Sequence, residues 1–140
     1  MHTDRGFYSI ELISCLVVTG ILMAIAIPRF MSTLKRRELK TEAEALKDTT
    51  EHLIAQARQT STKLSLLVSR ESYAYTSLHG ETPQQVVHLF KSGIVSNKND
   101  PHTISFYPSG VTSPAAVTLT EGSYSCTVTL SLRGRITVSC

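Results

Sequence analysis

From Leu12 to Ile27 the chain carries no charge, and Glu11 stands at the head of that run. Phe7 to Ile27 matches the ~20 apolar residues needed by a helix that crosses a bilayer. An ionised Glu at the edge of such a segment is costly there, so it needs a partner or a task. A secretory signal peptide fits poorly. Its apolar region is shorter, ~7–15 residues, and follows a positive n-region, whereas here Arg5 is offset by Asp4 and Pro28-Arg29-Phe30 follows the run. A plain membrane anchor explains the run but leaves Glu11 without a reason.

After Pro28 the chain stays rich in Leu, Ala, Lys and Glu to about Thr62, with no Gly or Pro, which predicts a continued helix. Leu39, Ala43, Leu46, Thr50, Leu53 and Ala57 recur at three- and four-residue steps, one apolar stripe of period 3.6. Lys40 with Glu44, and Lys47 with Glu51, stand four apart on the other faces. A coiled-coil dimer would also use such a stripe, but the strand patterns downstream need a helix to cover them. If continuous, residues 7–62 would extend on the order of 80 Å at 1.5 Å per residue.

The remaining chain, 63–140, reads as a small antiparallel β domain. Leu64, Leu66 and Val68 alternate, then Tyr73 and Tyr75, with Arg70-Glu71 as the turn. Thr82-Pro83 predicts the cap and first position of a short helix near 83–92, its apolar side formed by Val86, Val87, Leu89 and Phe90 and its end by Gly93. Residues 96–101 read as a loop, and 103–107 and 116–120 as strands. In the last stretch Tyr124, Cys126, Val128, Leu130 and Leu132 share one face, as do Ile136, Val138 and Cys140. Paired strands must put their apolar residues on one side. A three-residue loop, Leu132-Arg133-Gly134, meets that condition and puts Gly134 at the left-handed bulge position. The register then pairs Val128 with Val138 and Cys126 with Cys140, predicting a cross-strand disulfide; the alternative is two free buried thiols. Arg133 and Arg135 fall on the outward face.

The stretch Gly6-Phe7-Tyr8-Ser9-Ile10-Glu11, followed by the apolar run and Pro28, resembles the class III signal of type IV pilins and pseudopilins. Tyr8 and Ser9 replace the usual Thr and Leu. The resemblance implies a leader of residues 1–6, cut by prepilin peptidase between Gly6 and Phe7, with N-methylation of Phe7. It implies a transmembrane and filament-core helix over 7–30, an amphipathic helix over 31–62, and local loosening at Gly20 and Pro28 in the filament. Glu11 of one subunit would meet the new amine of a neighbour, each buried charge neutralising the other. A long helix followed by hairpins ending in "LRGRITVSC" resembles GspH/FimT-type minor pilins and pseudopilins. Some of these bind DNA through a Gly-Arg-x-Arg signature on the last hairpin. Gly134-Arg135-Ile136-Thr137 keeps its first half and lacks the second arginine, while Arg133 lies just before it.

The resulting expectation is an α+β pilin fold, a long N-terminal helix packed on a small antiparallel β domain. The subunit would serve a type IV pilus or a type II secretion pseudopilus. Its implied partners are other subunits, the peptidase, the inner-membrane assembly platform and the inner membrane. Double-stranded DNA, at Arg133 and Arg135 with help from Lys63, Arg70, Lys91 and Lys98, is the further partner considered. Two arginines give a weak electrostatic footprint, and a net charge of +3 adds little. The expected location is the inner membrane with the C-terminal domain outside the cytoplasm, then the filament. Against this, Lys35, Arg36 and Arg37 after the anchor would by charge alone place that side in the cytoplasm; Glu38, Glu42 and Glu44 dilute the cluster. An anchored extracytoplasmic binding domain that never polymerises is the alternative.

No enzyme is expected, since no HExxH, GxSxG or phosphate loop occurs. No cofactor or metal is expected either. His2, His52, His79, His88 and His102 lack ligand spacing, and Lys98 and Pro101 spoil a calcium-loop reading of Asn97, Asn99 and Asp100.

Overall fold

The computed structural model describes residues 5–79 and 82–140. Helix α1 covers Arg5–Thr60. The chain divides into two compact units, Met1–Lys35 and Arg36–Cys140.

The first unit is helical over its described residues, and its apolar side chains face outward: Ile10, Leu12, Leu16, Ile21, Leu22 and Ile27 are all exposed. Its hydroxyls turn back onto the helix. Ser14 Oγ donates to the Ile10 carbonyl at 2.8 Å and Thr19 Oγ1 to that of Cys15 at 2.7 Å. No hydroxyl among these is left to oppose an apolar environment. By length and composition the helix can cross a membrane.

In the second unit the helix to Thr60 lays the stripe Leu39, Ala43, Leu46, Thr50, Leu53 and Ala57 into the core, every one buried. Thr50 enters it because its hydroxyl bonds the Leu46 carbonyl at 2.7 Å. The pairs Lys40–Glu44 and Lys47–Glu51 form on exposed faces at 3.7 and 3.6 Å. The helix stops at Thr60, followed by Ser61 in a left-handed conformation (φ 52°).

Eight strands follow among the described residues, β1 Leu64–Val68, β2 Ser72–His79, β3 Thr82–Leu89, β4 Val95–Ser96, β5 His102–Phe106, β6 Ala115–Glu121, β7 Tyr124–Leu130 and β8 Ile136–Ser139. They make two antiparallel four-stranded sheets, ordered β3-β2-β1-β5 and β4-β6-β7-β8. Leu64, Leu66, Val68, Ile104 and Phe106 from the first sheet meet Val117, Leu119, Cys126, Val128 and Leu130 from the second in one core with the helix. The sheets join where Thr112 N donates to the Leu132 carbonyl and Ser113 N to that of Ser105.

The β1–β2 hairpin and the β7–β8 hairpin match the expectation, including the pairs Val128 with Val138 and Leu130 with Ile136. Three expectations are corrected. Residues 82–89 form a strand, not the short helix expected near 83–92. His88 turns to the helix side while Val87 and Leu89 face solvent, and eight cross-strand pairs with β2 cover an edge that a helix would leave bare. Pro83 is accepted because β3 is an outer strand. Ser96 belongs to β4, not to the loop, and pairs with Leu119. Leu132 is exposed, because the tight loop turns it away from the face its spacing predicts.

Candidate assembly segment and C-terminal hairpin

Glu11 lies within α1 and is exposed in the single chain, its neighbours Ile10 and Leu12 exposed beside it. Gly6 and Phe7 have helical backbone; residues 1–4 of the expected leader lie outside the described residues. A methyl added at Gly20 would meet nothing within 4 Å, so no contact among the described residues demands glycine there. Pro28 also lies within helical backbone.

The C-terminal hairpin is built from alternation and one glycine. Cys126 and Cys140 form a disulfide, S–S 2.01 Å, across β7 and the end of the chain. Gly134 takes φ 75°, and a methyl there would lie 3.3 Å from the Gly110 carbonyl oxygen. Ser131 closes the loop, its N–H donating to the Arg135 carbonyl at 2.9 Å and its Oγ accepting from the Arg135 N–H at 3.1 Å. Arg133 and Arg135 are both exposed.

The Gly110 turn gathers further cations at this end. A side chain at Gly110 would overlap the Arg58 guanidinium, and Lys63 Nζ stands 5.2 Å from the centre of the Tyr107 ring. The other cations considered as helpers lie elsewhere. Lys63 precedes the Leu64 end of β1, whereas Arg70 follows its Val68 end, roughly 20 Å along the strand. Ser96 N donates to the Arg70 carbonyl, which puts the stretch before Lys98 at that far end too.

Sequence reading missed a buried polar cluster. Glu42 is 4% exposed, and its Oε2 lies 3.2 Å from His88 Nε2. The His88 ring stacks on Tyr73, centroids 4.8 Å apart, and Tyr73 packs on Phe90. Burial raises the Tyr73 phenol above its ordinary 10.0; a hydrogen bond with Thr49 opposes this, and Glu42 and Tyr75 add to it. The signal was present, since Glu42 lies three residues from Leu39 and four from Leu46, at the margin of the stripe. Glu121 is also buried, and its Oε2 has no hydrogen-bond partner. Among the described residues no group of His, Cys, Asp and Glu is placed to hold a metal ion.

No protein-family model and no curated protein matches the chain. Among solved structures, the type IV minor pilin FimU of Pseudomonas aeruginosa PAO1 is similar, with a TM-score of 0.59 at 14% identity over 76% of this chain and 91% of that one. The fold is the pilin fold, a long N-terminal helix with antiparallel sheets.

Proposed function

We propose that the chain is a minor pilin or pseudopilin subunit. It is made as a precursor, cut between Gly6 and Phe7, held in the inner membrane with its β domain outside the cytoplasm, and then built into a filament through residues 7–30. The observation that carries this reading is the outward-facing apolar helix headed by Glu11, on a chain with a pilin fold. Such a surface has to be covered by lipid or by other helices. Prepilin peptidase, neighbouring subunits and the assembly platform are the partners this route requires. Its mechanism is assembly, not catalysis.

The test is the mass of the mature chain together with the fate of Glu11→Ala. The reading expects a chain beginning at Phe7 and a Glu11→Ala protein that stays in the membrane and out of sheared filaments. Retention of the starting methionine and leader in functioning protein would overturn it. A cleaved or uncleaved protein that is never found in filaments would support the anchored, non-polymerising domain instead.

The cations Arg58, Lys63, Arg133 and Arg135 around the Gly110 turn favour a second role, weak binding of double-stranded DNA by many subunits along a filament. Arg133→Ala/Arg135→Ala should then lower DNA retention by filaments and flatten its salt dependence. Unchanged retention and slope would remove the role.

A further inference from the structure

Among the described residues strand β3 is an outer strand of its sheet, and the side left unpaired there has a defined chemistry. Phe90 N donates to the Glu71 carbonyl at 2.9 Å, and Ser72 accepts from Ser69 on the opposite side, toward β1. With the β2–β3 register, these bonds fix the alternation. Even-numbered residues of β3 bond inward to β2. Pro83, Gln85, Val87 and Leu89 direct their backbone groups outward. Pro83 has no N–H, so Gln85, Val87 and Leu89 offer the outward donors and acceptors.

Two of these residues carry the most exposed apolar side chains of the strand, while Val86 is exposed less, at 37%. Val87 is 58% and Leu89 72% exposed. Val87 lies beside Ala74 and Ala74 beside Leu67, which makes an apolar row across three strands on the face away from the helix. Natural outer strands are usually kept short, charged or covered. The other three fit that rule: β5 has five residues, β4 two, and β8 four beside the disulfide. β3 has eight, none of them Lys, Arg, Asp or Glu, and its proline, Pro83, guards only the Thr82 end.

We propose that the 85–89 edge of β3 accepts a β-strand from a neighbouring, different subunit of the same assembly. A row of open N–H and C=O groups selects extended backbone, and Val87 and Leu89 select aliphatic residues at alternate positions of the incoming strand. The contact is small. Five strand residues fall well short of the ~1,200 Å² at which free-standing specific interfaces begin. The occupant is therefore a chain already held alongside, not a free peptide. A second copy is the wrong occupant. Antiparallel self-pairing of β3 places a two-fold axis across the sheet and reverses the helix packed on it, whereas chains anchored in one membrane keep one direction.

The inference takes its assembly from the filament reading, and the test separates the two. In full-length protein in cells, Val87→Pro removes one outward donor and leaves the inward ladder whole; Val86→Pro breaks the ladder and serves as the folding control. Val87→Pro is expected to keep the melting temperature and membrane level of the parent while its recovery in sheared filaments falls about tenfold or more, the scale of ~1.4 kcal/mol. In a Cys15→Ser background, cysteines at Val87 and Leu89 should cross-link to the same different subunit, at residues two positions apart. Normal incorporation of Val87→Pro, cross-links without that two-residue step, or cross-links only to a second copy would each overturn the proposal. If Glu11→Ala blocks incorporation and Val87→Pro does not, only the strand docking fails. If both variants assemble normally, the strand docking and the part given to Glu11 both fail while the filament reading stands; if the parent itself is absent from filaments, the filament reading fails.

Discussion

Glu42 Oε2 lies in hydrogen-bond contact with His88 Nε2 at 3.2 Å, and its own side chain is 6% exposed against 43% for the histidine. Removing one side of such a pair strands the other, while replacing both with apolar groups is often tolerated. His88→Ala should therefore cost about 1–3 kcal/mol, with the lower end favoured by the solvent on the histidine side. Adding Glu42→Met should return much of that loss. Urea midpoints of the two single variants and the double variant measure the coupling. Tyr73 gives a pH dependence at the same place. Burial disfavours its phenolate, so the folded chain holds that proton more tightly than the unfolded one. The stabilisation from the neutral phenol is whole below the ordinary value of 10.0 and is lost as pH rises through the raised one. Melting temperatures from pH 8 to 11 should fall more steeply in the parent than in Tyr73→Phe, which removes this group alone.

At the scale of elements, β8 is an outer strand of four residues, tied by the disulfide after it, with 14 positions separating the two cysteines. Closing a loop of that size is worth roughly 3 kcal/mol in the chain-entropy account. Cys126→Ala/Cys140→Ala should lose about 2–4 kcal/mol of stability, with faster amide exchange in β8 than in β6, readable by denaturant titration and site-resolved exchange. This hairpin was legible in the sequence for a physical reason. Strict alternation on both sides of Gly134 leaves one register that keeps Val128, Leu130, Ile136 and Val138 together. The helix stripe was legible likewise, because six buried positions repeat at helical spacing. β3 was not. Thr82-Pro83 carries a helix-start signal, and Val86, Val87, Leu89 and Phe90 suit a helix face as well as a strand. What decides is β2, which needs a partner beyond β1, and that demand is invisible in residues 82–92 taken alone. Glu42 was legible only in part: its place at the margin of the stripe points to burial, but its partner, 46 positions away, leaves no local sign.

At the scale of the whole molecule, the two units ask for different surroundings, and Glu11 is where this is sharpest. The second unit buries its apolar residues by itself. The first exposes them, and along the apolar run its described side chains include one carboxylate and no cation. Lipid can cover the apolar part, so Glu11→Leu should insert in the membrane at least as well as the parent. Lipid cannot satisfy the carboxylate in place; in the proposed filament a neighbour's α-amino cation would. Breaking a buried pair from one side costs about 3–5 kcal/mol, or a loss of incorporation on the order of 100-fold or more. Glu11→Gln separates charge from shape. It keeps the size and one acceptor, and loses the attraction, so it should fall with Glu11→Leu. Glu11→Asp keeps the charge on a shorter arm and should recover part of the incorporation. Immunoblots of sheared filaments against membrane fractions measure the order. Glu11→Gln assembling as well as the parent would leave packing alone as the source of register and remove the electrostatic account.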